Sequence, residues 1–83
     1  MDRDGEFETY VHEIYPKLLR TAILLTADPS TAQDLVQATL EKIWLRWSRV
    51  HRADNPDAYT YRTLINTHNG WRRRRWWGGR SYR

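Results

Sequence analysis

Three groups of side chains in this chain have residue types and spacing that suit recognition chemistry. WRRRRWW, at 71–77, sets four arginines between tryptophans. Asp34, Gln37, Glu41 and Trp44 step by three, four and three, so on a helix they form one stripe. Arg62, Asn66 and Asn69 follow the same rule, and Arg73 continues that face four residues on. Guanidinium groups suit phosphate or guanine, and an asparagine amide matches a base edge. Carboxylates, an amide that both donates and accepts, and an indole suit docking on a basic, partly apolar protein surface. Catalysis has no comparable signal. No carboxylate pair or nucleophile–histidine arrangement stands out, and a domain this small cannot enclose a reaction site. His12, His51 and His68 lack ligand spacing, and no glycine loop suited to nucleotide phosphate occurs. The sequence predicts a binding module with no enzymatic activity, metal or cofactor.

The charge is split along the chain. Residues 1–43 hold eight acids and four bases, whereas residues 44–83 hold two acids and ten arginines. An acidic end and a strongly basic end suggest two different partners, one of them polyanionic. Eighty-three residues make one small domain, burying roughly 60% of its unfolded surface. There is no cysteine, which suits a reducing compartment such as the cytoplasm. No signal-peptide pattern is seen, and the apolar run Ala22-Ile23-Leu24-Leu25 is too short to span a bilayer. No membrane insertion is expected.

Helical periodicity supplies the elements that must position these groups. Phe7, Val11, Ile14, Leu18, Ala22 and Leu25 recur at steps of three and four, predicting a helix over about residues 6–26. Pro16 should kink that helix without ending it, because the apolar stripe continues in phase. Asp28 or Ser30 can cap a second helix, with Pro29 in its first turn and Ser30/Gln33 in capping-box register. This helix runs to about Trp47, with Ala32, Leu35, Val36, Thr39, Ile43 and Trp47 on or near the inner face. Residues 48–56, SRVHRADNP, break the periodicity. Asn55 can then cap, and Pro56 start, a third helix that turns Ala58, Tyr61, Leu64 and Ile65 inward. Gly70 weakens this helix by about 1 kcal/mol, and Gly78-Gly79 should make it fray near Trp76. The expected architecture is all-α, a compact three-helix domain over residues 6–77, with a tail at 1–5 and the start of a linker at 78–83.

With the elements placed, LLRTAILLTADPSTAQDLVQATLEKIWLRW followed by NPDAYTYRTLINTHNGWRRRR resembles the extracytoplasmic-function (ECF) sigma factors of the sigma-70 family. The likeness is to their region 2 domain, in the actinobacterial sigma-E-like group whose third helix ends in a Trp/Arg-rich run. The ordered set Asp34-Leu35-Val36-Gln37, Trp44 and the Tyr/Arg/Asn-bearing third helix carries it. The resemblance implies a promoter-recognition subunit that binds core RNA polymerase through a largest-subunit coiled coil and recognises and melts the −10 element. It also implies a helix-turn-helix domain for the −35 element, absent from this chain, so the chain is expected to be a piece of a longer protein. An anti-sigma factor is a further implied partner, and the cytoplasm the implied location.

The resemblance assigns Asp34 and Gln37 to polymerase binding, and their stripe adds Glu41 and Trp44. The family usually carries glutamate after Gln37; here Ala38 removes one polar contact. Arg62 and Asn66 fall where the family touches the −10 strand, and the 48–55 loop falls where it captures a flipped base. Extruding a base costs a few kcal/mol, so a pocket and stacking faces are needed. Val50, His51, Arg52, Asp54 and Asn55 offer shape, hydrogen bonds and charge. Tyr59 and Tyr61 offer rings worth about 1–3 kcal/mol per stacked base, although Tyr61 fits the core stripe better. Asn69, Arg72 and Arg73 extend the DNA face. Adjacent helical residues lie about 100° apart, so only some of Arg72–Arg75 can reach phosphate. About three or four phosphate contacts would give a salt slope near −2 to −4. Trp71 should pack on the core, leaving Trp76 and Trp77 exposed. Two other readings compete: a helical protein-interaction domain without DNA contact, and a basic Trp/Arg binder of membrane surfaces.

Overall fold

The computed structural model describes the backbone of residues 2–81 and the side chains of residues 2–74. Three long helices and a single-turn helix follow in order: α1 (Arg3–Thr26), α2 (Pro29–Leu45), α3 (Trp47–Val50) and α4 (Pro56–Ser81). The fold is all-α, with no strand among the described residues. Helix α2 packs on both α1 and α4, and α1 and α4 touch less extensively.

Local chemistry explains each boundary. Asp2 caps α1, its carboxylate accepting from Gly5 N at 2.8 Å, with Asp4 and Glu6 in the favourable first turn. Residues 3–5 of the expected tail at 1–5 are therefore helical, because the cap lies at residue 2 and not at the first apolar residue. Pro16 sits inside α1, which continues past it. Ala27 ends the helix in the left-handed region (φ 56°), donating its N–H to Ile23 O at 2.7 Å. Asp28 caps α2: it accepts from Thr31 N at 3.0 Å and from the Thr31 hydroxyl. The Thr31 hydroxyl first, and then the backbone N–H bonds, hold the Asp28 carboxyl below its ordinary pKa. Ser30, lying inside the helix, is not the cap. Asn55 caps α4, accepting from Ala58 N at 3.0 Å.

Two apolar clusters meet at Tyr10. The larger joins Ile14, Leu18 and Ala22 of α1, Ala32, Leu35 and Val36 of α2, and Leu64 of α4, with Tyr61 and Trp71 packed against it. The smaller joins Ile43, Trp47 and Val50, flanked by Phe7, Trp44 and Tyr59. The Tyr10 hydroxyl lies 2.8 Å from Thr60 Oγ1. Thr60 commits its own proton to Pro56 O at 3.0 Å, so Tyr10 donates.

Several inward assignments shift. Leu25 is 36% and Ile65 43% exposed, and Ala58 is exposed. Helix α4 faces the core with Thr60, Leu64, Thr67 and Trp71, a stripe at steps of four, three and four. The threonines satisfy their hydroxyls by bonding to carbonyls four residues back, at 3.0 Å for Thr60 and 2.7 Å for Thr67, so the methyls can be buried. Thr39 does the same to Leu35 O at 2.8 Å. Helix α2 stops at Leu45 rather than Trp47. At Arg46 (φ −112°, ψ 19°) the chain turns, and Trp47 opens the separate turn α3. Helix α4 continues through Gly78-Gly79 to Ser81 without the expected end near Trp76. Glycine lowers helix propensity but retains the N–H that the helix needs.

Candidate functional site

The α2 stripe begins with Asp34, Gln37 and Glu41, all exposed, while the core residues Val36, Thr39 and Ile43 run beside them. Trp44, the last member, is half-buried against Ile43, Trp47 and Val50. Its ring centroid lies 5.1 Å from that of Phe7. The Arg3 guanidinium carbon sits 4.4 Å from its ring centroid, and Arg3 Nη2 donates to Trp44 O at 2.8 Å. One cation thus uses the indole face and a carbonyl at the negative end of α2, tying the start of α1 to the last turn of α2.

Between these helices lies a surface groove of about 710 Å³. Its apolar wall is Phe7, Val11, Leu40 and Trp44, and Asp4, Glu8 and Glu41 add carboxylates. Leu45, 78% exposed, stands at its edge. The groove joins Glu41 and Trp44; Asp34 and Gln37 lie outside it, further along α2. The α1 half of this surface was missed because Phe7 and Val11 fit a core stripe as well as a groove wall. The one available signal was the run of acids interleaved with them.

At the other face, the loop expected over 48–55 is partly helical. Val50 is fully buried in the smaller core cluster and cannot touch a nucleic acid, which corrects its assignment. Its burial follows from α3, whose single turn places Trp47 and Val50 on the inner side together. His51 is exposed, with its ring centroid 5.5 Å from that of Trp47. The Trp47 Nε1–H is buried without an acceptor. Arg52, Asp54 and Asn55 are exposed, but the Asn55 side-chain oxygen is engaged as the α4 cap. Tyr59 is half-buried on the smaller cluster, which restricts the ring face it can offer.

Helix α4 exposes Arg62, Asn66, Asn69, Arg72 and Arg73. Leu64, Thr67 and Trp71 anchor its inner side, so the amides and guanidiniums are held outward. Side chains from residue 75 on, including Arg75, Trp76 and Trp77, lie outside the described residues. Among the described residues no group of three or more histidines or carboxylates could hold a metal ion, and no helix is long and apolar enough to cross a membrane.

Residues 10–78 match the family model described as Sigma-70 region 2. The chain is 43% identical over 70 residues to an RNA polymerase sigma-E factor of Streptomyces coelicolor, covering 84% of this chain and 40% of that protein. It is 43% identical to the sigma-E factor of Streptomyces avermitilis and 41% to that of Streptomyces antibioticus, each over 84% of this chain and 39% of the relative. The chain thus spans about two-fifths of the length of these curated relatives. No solved structure gives a match.

Proposed function

The chain belongs to the sigma-70 region 2 family, and on that premise we propose that it is a promoter-recognition module of bacterial RNA polymerase. It docks on core polymerase through α2 and binds the −10 element, partly single-stranded, through α4 and the 51–55 turn. It works where the polymerase works, in the cytoplasm, and an anti-sigma factor can compete for its surfaces. The catalyst is the polymerase, and this domain chooses the start.

The observation that carries this reading is the outward presentation of Arg62 and Asn66 on a helix whose inner side packs on the core through Leu64, Tyr61 and Trp71. An amide and a guanidinium one helical turn apart can take a base edge and a neighbouring phosphate together. On the opposite side, the carboxylates and amide of α2 beside an apolar groove suit a basic, partly apolar helix pair. Opening the duplex then draws its free energy from capture of the unpaired strand, without a nucleotide triphosphate site.

The test is fluorescence anisotropy with single-stranded oligonucleotides bearing −10 elements. Wild type should bind, and Asn66→Ala should lose about tenfold or more in affinity, the scale of a bidentate base contact. Equal binding by the variant, or none by wild type, would leave a helical interaction domain without DNA contact as the better reading.

A further inference from the structure

Arg3 is the first residue of α1, a position where the dipole of its own helix disfavours a cation. Its guanidinium serves another helix instead. The Cζ atom lies 4.4 Å from the Trp44 ring centroid, and Nη2 donates to Trp44 O at 2.8 Å. Trp44 belongs to the last turn of α2, where a cation is favoured. Phe7, one turn on from Arg3, brings its ring centroid to 5.1 Å from that of the same indole. Two side chains on one face of α1 thus grip one residue of α2.

A grip at two points one turn apart fixes how α1 is rotated about its axis. Asp4 and Glu8 directly follow Arg3 and Phe7, so they lie about 100° further round the helix. Both are exposed and line the apolar groove together with Glu41 of α2. The groove lining thus holds three carboxylates and no cation. The first turn of a helix frays most readily, so a contact made there decides whether these acids keep their place.

From this geometry we infer that Arg3 is a positioning residue of the docking face: it holds the start of α1 on Trp44, so that Asp4 and Glu8 meet a basic partner beside Glu41. The inference rests on the reading that α2 docks on core polymerase, and it adds α1 to that face. It also fixes a sign. A cation on a surface that meets a basic partner repels it, so by charge alone the loss of Arg3 strengthens binding. By position, the loss weakens binding, because Asp4 and Glu8 are no longer held.

The experiment measures affinity of the 83-residue chain for core polymerase. Arg3→Ala should weaken binding severalfold, against the direction that its charge dictates. Arg3→Lys, which keeps a cation for the indole face, should recover part of the loss. Glu8→Gln should weaken wild type severalfold and Arg3→Ala little, the non-additivity expected of residues that act together. Arg3 is exposed, so thermal melts of Arg3→Ala should stay close to those of wild type. Glu8→Gln and Asp4→Asn leave the grip on Trp44 in place and test the acids in an undisturbed fold. Binding by Arg3→Ala as tight as wild type, or tighter, would overturn the assignment. So would the same Glu8→Gln loss in both backgrounds, or no loss from either acid. Weakening by Asp34→Arg in the same assay would then leave the α2 reading standing; without it, both fall together.

Discussion

At the scale of single residues, Tyr10 concentrates more of the fold than any group on the candidate faces. It touches both core clusters and donates to Thr60 across the α1–α4 contact. Burial raises its pKa well above the ordinary tyrosine range, and the nearby Asp57 adds to this. A folded pKa above the unfolded value, about 10, favours the neutral phenol in the folded state. The resulting stability is complete below about pH 10 and is lost as pH rises through the folded pKa. Tyr10→Phe should cost about 1 kcal/mol at neutral pH, the net worth of the hydrogen bond, and should flatten the alkaline fall in stability. Urea melts from neutral to alkaline pH would show this, and an alkaline limb as steep as that of wild type would assign it to other tyrosines. The role of Tyr10 was not legible in the sequence because it stands beside the 7–11–14 stripe, and its partner is a threonine fifty residues away.

At the scale of elements, α1 and α2 were legible because their inner faces are largely apolar and repeat at the helical period. Ile14, Leu18, Ala22, Ala32, Leu35, Val36 and Ile43 are buried as their spacing required. Helix α4 was legible in its start, where Asn55 and Pro56 act as read, and in Tyr61, Leu64 and Trp71, which pack on the core as read, but not in its remaining inward positions. Reading apolar residues alone turned Ala58 and Ile65 inward, whereas the packed face is Thr60, Leu64, Thr67 and Trp71. Threonine buries a methyl once its hydroxyl bonds four residues back, and composition does not reveal that bond. The same limitation misplaced Val50, because a one-turn helix leaves too few residues for a period to show. Gly70 tests the element directly. It lies in the interior of α4, and a Cβ built there meets nothing within 4 Å. Gly70→Ala should therefore stabilise the domain by about 0.5–1 kcal/mol through helix propensity, measurable in thermal melts. A destabilised variant would show that α4 bends at that point in solution.

At the scale of the whole molecule, the charge split along the sequence becomes a split between surfaces. Acids and apolar side chains gather on the α1–α2 side, around Asp4, Glu8, Glu41 and Trp44, while α4 exposes Arg62, Arg72, Arg73 and its asparagines. The core stripe of α2 separates Asp34 and Gln37 from α4. Substitutions on the two faces should therefore act independently, as expected of sites more than about 7–10 Å apart without shared partners. Asp34→Arg should weaken binding to core polymerase about tenfold or more, by placing a cation against a basic partner, and leave single-strand affinity and its salt slope unchanged. Asn66→Ala should do the reverse, and in the double variant each loss should equal that of its single substitution within about 0.5 kcal/mol. Polymerase pull-down and oligonucleotide anisotropy on the four proteins supply the measurements. A double variant whose DNA loss exceeds that of Asn66→Ala would place the two sites in one coupled surface, which the packed interior of α2 gives no physical route to make.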